Sequence, residues 1–278
     1  MPQSLSELLQ GLPAPASGAS EQSFCQAWRE HVHQAEFNPF AQALRGGYLA
    51  DRLAWVFIAG YQAALRQSFS QLKLLDITAL AVSEDRSETD PLPGVVWQPR
   101  NGQVVLHGYK TWVAAIEPVQ QLIVKARGPE PGQSTYFLVP VELPGVVPHV
   151  YPHSSRLPDL SQGRMFFDEL VLPQTSRLDA AAGAGFGLLE ALMIYSAFLG
   201  MVWRRTQAGS AEQNQAMTLL GQLQKMLAAP QSGGDLSALD EGVQRLREQL
   251  ANGLWAQDEG FLRDQNLISM YSRGLRNH

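Results

Sequence analysis

The segment LHGYKTWVAAIE, residues 106–117, decides how the middle of the chain is read. It reads as the end of one strand, a tight turn at Gly108, and a second strand opened by Lys110 and Trp112. Val113, Ala114 and Ala115 follow with nothing polar among them. Upstream, residues 94–98 and 103–107 are β-rich and flank Arg100-Asn101-Gly102, and Asn-Gly between two such runs is the strongest short hairpin signal. Downstream, strands are predicted over 121–127, 135–141, 145–151 and 164–172, divided by GPEPGQS, ELPG and RLPDLSQG. Short strands at this spacing with Pro- and Gly-rich turns argue for an antiparallel barrel or sandwich.

On either side of this block the periodicity becomes helical. A Pro/Ala/Ser/Gly lead-in precedes a helix predicted over 23–36, with Phe24, Ala27, Trp28 and Val32 spaced for one face. A second predicted helix, 48–72, is apolar over much of its circumference and is expected to lie deep. After the β block come predicted helices over 186–207, 211–228 and 236–250, the last capped by Asp235 or Ser237 after a PQSGGD linker, and a final one over 257–271. The expected organisation is α+β: an N-terminal helical domain (1–75), a central antiparallel β-barrel-like domain (76–175) and a C-terminal helical bundle (180–278).

Composition narrows the function classes. The 278 residues are 45% hydrophobic and carry a formal charge of −5 with no long basic run, which argues against a nucleic-acid partner. Cys25 is the single cysteine, so no internal disulfide forms, and a cytoplasmic location is expected. The N-terminus lacks the basic start and apolar centre of a signal peptide. The longest apolar segment, 188–203, is interrupted by Glu190, Tyr195 and Ser196; it is short for a membrane span and reads as a buried helix.

Several constellations are set aside on geometry. Gly183, Gly185 and Gly187 follow DAAA rather than a buried strand, so they read as a helix start, not a dinucleotide loop. His31 and His33 are two apart on a helix and cannot chelate as an i, i+4 pair would, and His149 with His153 flank a loop-like Tyr-Pro. No Gly-x-Ser-x-Gly elbow is present, and Cys25 on an amphipathic helix is a packing residue.

In fixed order, the remaining signals resemble the acyl-CoA dehydrogenase superfamily. Ala81-Val82-Ser83-Glu84 with Thr89-Asp90 looks like the Thr-Glu…Gly-Ser-Asp segment beside the flavin and thioester. Gly108-Tyr109-Lys110-Thr111-Trp112 is similar to the family's Gly-x-Lys-x-Trp, residues 136–139 and 144–146 to its "FLV…GV" strands, residues 166–173 to its "F-x-x-V-x-V-P" strand, and residues 183–187 to its glycine-rich approach to the last domain. The resemblance implies an FAD-dependent α,β-dehydrogenation of an acyl thioester carried on CoA or a carrier protein. It implies cofactor contacts at Ser83, Thr89, Trp112 and Ala114, with Trp112 as a wall for the flavin, and a homodimer or a hetero-oligomer with a paralogue.

The pattern has gaps. The family's base most often lies in a Tyr-Glu-Gly-Thr run after an Arg-Asp pair; here Arg263-Asp264 leads to Tyr271-Ser272, with Ser272 where Glu would be. Other members place the base on the first helix of the last domain, in a Glu-Arg pair ten residues before a Gly. Aligned on Gly200, that Glu is Glu190, with Ala191 replacing the Arg, and Glu190 is the candidate catalytic base. Val113 and Ala114 stand where a Ser or Thr usually bonds the flavin, and Glu88 stands for a Gly. The Arg-x-x-Phe-Gly and Gly-Gly-x-Gly segments have no counterpart, and both helical domains are short for the family. The alternative expectation is therefore a catalytically degenerate relative acting in binding or heteromeric assembly.

Overall fold

A computed structural model describes residues 4–14, 18–32, 38–73, 75–152, 154–228 and 235–275. His33, His153 and most of the PQSGGD linker lie outside them, as does the end of the helix expected over 23–36. The chain divides into two compact units, residues 1–67 with 185–278, and residues 68–184. The helices of the first and last sequence blocks thus share one unit.

In the helical unit, a single turn, α1 (Leu5–Leu8), precedes α2 (Glu21–His31), whose start is fixed by Ser20: its Oγ accepts the amide N–H of Ser23 at 3.2 Å. The helix expected over 48–72 is in fact the end of one helix and the body of another. α3 (Pro39–Leu49) begins at Asn38, whose side chain caps Ala41, with Pro39 in the first turn where its missing N–H costs nothing. Ala50 is extended, and α4 (Leu53–Ser68) starts after it. Asp51 and Arg52 mark the break, but both helices are buried on nearly every side, so their apolar patterns run together around it.

α5 (Phe186–Arg205) is the axis of this unit. Its length and hydropathy would suffice for a membrane span, but 72% of its apolar window is buried within the protein. Helices pack against it backbone to backbone at glycines. A Cβ on Gly60 of α4 would lie 2.6 Å from the Cα of Ile194, one on Gly200 would lie 2.5 Å from the carbonyl oxygen of Leu44, and one on Gly47 would overlap the carbonyl of Ala197. α6 (Ala211–Ala228) and α7 (Leu236–Asn252) follow, α7 capped by Asp235, which accepts from Ala238 at 2.9 Å. The helix expected over 257–271 is two, α8 (Glu259–Asp264) and α9 (Asn266–Leu275). Gln265 carries the junction, and its Oε1 accepts from Arg247 at 3.0 Å.

The second unit is built on one eight-stranded sheet. Its strands are β1 (Thr78–Ala81), β2 (Val96–Arg100), β3 (Gln103–Ala114), β4 (Gln121–Arg127), β5 (Ser134–Pro140), β6 (Val146–Val150), β7 (Gln162–Pro173) and β8 (Arg177–Leu178). The order is β6-β7-β3-β2-β4-β5-β8, with β1 parallel to β4 over Gln121 to Val124. β2 also meets β4 in parallel at Val96 and Arg127, and the other pairings are antiparallel, so the sheet is mixed rather than purely antiparallel. The β2–β3 hairpin turns at Asn101 and Gly102, both at positive φ, as a two-residue turn between twisted strands requires.

Gly108 makes no turn. β3 runs unbroken from Gln103 to Ala114 along β7, and two bulges account for the sequence signal that suggested a break. Between Leu106 and Gly108 the extra residue is on β7, where Glu169 sits at φ 46°. Between Lys110 and Val113 the extra residue is on β3. Gly108 itself is at φ 122°, and a Cβ there would lie 2.5 Å from the carbonyl oxygen of Gly94. It is a close-approach glycine inside a strand.

Candidate functional site

The second bulge decides which way Trp112 faces. Alternation along β3 buries Leu106, Gly108 and Lys110 and would bury Trp112 next. The extra residue resets that parity: Thr111 and Trp112 both lie toward the surface, and Val113 and Ala114 are both buried. Trp112 is 36% exposed, whereas Ala114 is 1% exposed. The apolar run that follows the Trp is core, and the Ala114 methyl is packed inside the unit rather than presented to a ligand.

Trp112 is fixed in orientation. Its indole N–H donates to Gln162 Oε1 at 3.0 Å, and the amide of Gln162 donates to the carbonyl of Arg156 at 2.7 Å. The backbone beside it is held as well: the Tyr151 hydroxyl donates to the Thr111 carbonyl at 2.7 Å, and the Thr111 N–H donates to the Ser83 carbonyl at 2.9 Å. Ser83 and the Trp112 strand are thereby brought together.

Lys110 explains why the Ser83 segment stays there. Its side chain is 1% exposed, and its Nζ reaches Glu84 Oε1 at 2.6 Å. Burial lowers the Lys110 pKa first, while the hydrogen bond and charge of Glu84 oppose that fall and keep the ammonium paired. Thr89 lies on an exposed turn beyond Ser83. Asp85 closes that loop, accepting from the Ser87 amide at 2.9 Å and the Leu92 amide at 3.1 Å. These bonds, with the Ser87 hydroxyl contributing most, pull the Asp85 carboxyl down to about 2. Glu88 is likewise exposed on this loop.

In the helical unit, Glu190 sits in the second turn of α5. It retains some accessible surface, but its carboxyl lies deep among protein atoms, and desolvation pushes its pKa up to about 7. The Tyr271 hydroxyl of α9 donates to Glu190 Oε1 at 3.0 Å and offsets part of that rise. Burial, then the neighbouring Glu190 carboxylate, hold the Tyr271 pKa well above its ordinary value, so the phenol remains a donor at neutral pH. Phe57 stacks on Tyr61 at 5.0 Å, and Phe186 meets Tyr61 edge-on at 6.2 Å, one turn before Glu190. A buried carboxyl raised to about 7 is suited to general-base work.

Ser272 does not stand beside Glu190. It is buried, and its hydroxyl donates to Asp240 Oδ2 at 2.7 Å. Tyr195 of α5 donates to the other oxygen of the same carboxylate at 2.6 Å, and Gln244 donates to the Tyr195 hydroxyl at 2.8 Å. Tyr271 and Ser272, adjacent on α9, therefore engage two different carboxylates. Arg205 is committed to Asp258 and covers the Trp255 ring at 4.3 Å, and Arg263 pairs with Asp264 at 2.6 Å. Among the described residues no group of three or more metal-ligating side chains occurs.

Sequence reasoning missed Gln162, Asp85, Asp240 and the Glu84–Lys110 pair. Glu84 and Lys110 each lay in a segment that resembles a family motif, but nothing in either segment signalled that they pair.

No protein-family model matches the chain, and no curated protein matches it. Solved structures do. Apo-form PigA superposes with a TM-score of 0.67 at 16% identity, over 98% of this chain and 94% of that one. The FAD complex of PigA gives 0.62 at 15%, over 90% and 85%, and butyryl-CoA dehydrogenase from Megasphaera elsdenii gives 0.63 at 12%, over 91% and 86%. The chain has the acyl-CoA dehydrogenase fold. At these identities the fold is what is shared.

Proposed function

We propose that this chain is an acyl-CoA dehydrogenase-like flavoprotein that desaturates an acyl thioester, carried on CoA or a carrier protein, at the bond between its α and β carbons. The observation that carries the reading is Glu190, a carboxyl raised to about 7 by burial and oriented by Tyr271. An α-proton beside a thioester carbonyl is acidic enough for such a base when the carbonyl is hydrogen-bonded, and far too weakly acidic otherwise. Glu190 takes that proton on its carboxylate.

FAD, as named for the PigA complex, would when bound accept the hydride from the β carbon. The residues present suit a flavin in one respect: Trp112 offers an exposed, orientation-locked aromatic surface against which an isoalloxazine ring can lie. Ser83 and Thr89 would contact flavin or thioester from the neighbouring loop, and Ala114 would contribute backbone alone. The competing reading, a degenerate relative that assembles with an active paralogue, is favoured by one observation. Val113 and Ala114, after Trp112, are buried and offer no side-chain hydroxyl.

The two readings separate on the visible spectrum of purified protein after desalting. Flavin bands that survive desalting, or that appear on adding FAD, support the dehydrogenase. A protein that stays colourless and leaves the spectrum of added FAD unchanged overturns it and leaves the assembly reading.

A further inference from the structure

Among the described residues Tyr271 is the one hydrogen-bond partner of Glu190, and it engages Oε1 alone. Its position is fixed from the other side of α9. Ser272 donates to Asp240, and Asp240 also accepts from Tyr195, five residues along α5 from Glu190. One carboxylate of α7 thus ties α9 to α5 about a turn and a half from the Glu190 contact. The register of α9 against α5 is set by a buried bridge, so the phenol is preorganised against the carboxylate.

We propose that Tyr271 is a positioning residue for Glu190, pinning Oε1 so that Oε2 is the atom that exchanges the proton, and that the Asp240 bridge through Ser272 holds it there. The proposal rests on the reading of Glu190 as a base. It also explains a substitution that otherwise looks like simple loss. Serine at 272 is what lets α9 engage Asp240, and the bridge it forms presents the preceding Tyr to the carboxylate on α5.

The charged surroundings of Glu190 are simple. Tyr271 comes from α9, and Tyr61 of α4 acts on Tyr271. Among the described residues, no charged group from α3 or α6 shifts Glu190. Loss of the phenol therefore removes the one interaction that favours the carboxylate, and the remaining influence, desolvation, favours the acid.

The test is the titration of Glu190 in the purified full chain without added flavin, followed by infrared difference spectroscopy of the carboxyl stretch, with Glu190→Gln as the blank. Tyr271→Phe is expected to raise the titration midpoint above that of the unsubstituted protein. Ser272→Ala is expected to raise it by less, by loosening α9. Circular dichroism checks that each variant is folded. Should Tyr271→Phe not fold, 3-fluorotyrosine placed at 271 supplies a stronger donor and is expected to lower the midpoint. A midpoint unmoved by the folded Phe variant, or by the fluorinated phenol, overturns the proposal. Because no cofactor is needed, a colourless protein would sink the dehydrogenase reading without touching this result, and the converse also holds.

Discussion

Glu190 couples the chemistry proposed here to stability. Its pKa is raised in the folded state, so the folded protein binds the proton more tightly than the unfolded chain does. The associated stability is complete below the unfolded carboxylate range near 4.5 and is lost as pH rises through about 7. Glu190→Gln removes the titration while keeping an oxygen for Tyr271. It is expected to flatten the pH dependence between 5 and 8 and to stabilise the protein at pH 8 by at most about 3 kcal/mol. Urea denaturation at the two pH values measures both effects; equal slopes for the variant and the parent would remove the burial assigned to Glu190. Ser272→Glu, which would restore the residue expected from the family pattern, places a second carboxylate against buried Asp240. It is expected to lower the melting temperature and to leave any activity of Glu190→Gln unrescued. Recovery of turnover in that double variant would show that position 272 reaches the substrate.

At the level of elements, two features fix the site parts: the bulged strand β3 and the glycine-faced helix α5. Glu84→Ala would leave the Lys110 ammonium buried without its carboxylate, at a cost of about 3 kcal/mol by analogy with broken buried pairs. Adding Lys110→Met should recover part of that loss, and a double-mutant cycle by urea denaturation reads the coupling. On α4, Gly60→Ala pushes a methyl into the backbone of Ile194 and is expected to cost roughly 3 kcal/mol, visible as a lower melting temperature. Much of this scale was legible in the sequence. Strand β4 matches its expected span residue for residue, and the Asn-Gly hairpin and the Asp235 cap stand where their turn and capping chemistry placed them. The misreadings share a cause: local signals do not report tertiary neighbours. Gly108 looked like a turn because a glycine in a strand has two uses, and only the approach of Gly94 tells them apart. The break at Ala50 carries Asp51 and Arg52, but with α3 and α4 buried on nearly every side no change of apolar face accompanies it.

For the molecule as a whole, block order in sequence and grouping in space differ. Helices from both ends of the chain make one unit, and the central block makes the other. That grouping brings Glu190 to Tyr271, 81 residues apart, a pairing no spacing rule anticipates. Ser83 and Trp112 lie within one block, and their proximity was suggested by motif order alone. Polar partners such as Gln162 and Asp240 stayed invisible because a single Gln or Asp in a sequence carries no mark of what it will bond.

The central claim is that Glu190 removes a proton from a flavin-bound complex of an acyl thioester. Its most direct test is anaerobic addition of butyryl-CoA and palmitoyl-CoA to the FAD-loaded protein and to the FAD-loaded Glu190→Gln variant, followed in the flavin bands. Bleaching of the parent by at least one thioester, with the variant retaining its colour unbleached, is the expected result. Equal bleaching of both proteins, or a parent that binds no FAD, would contradict it.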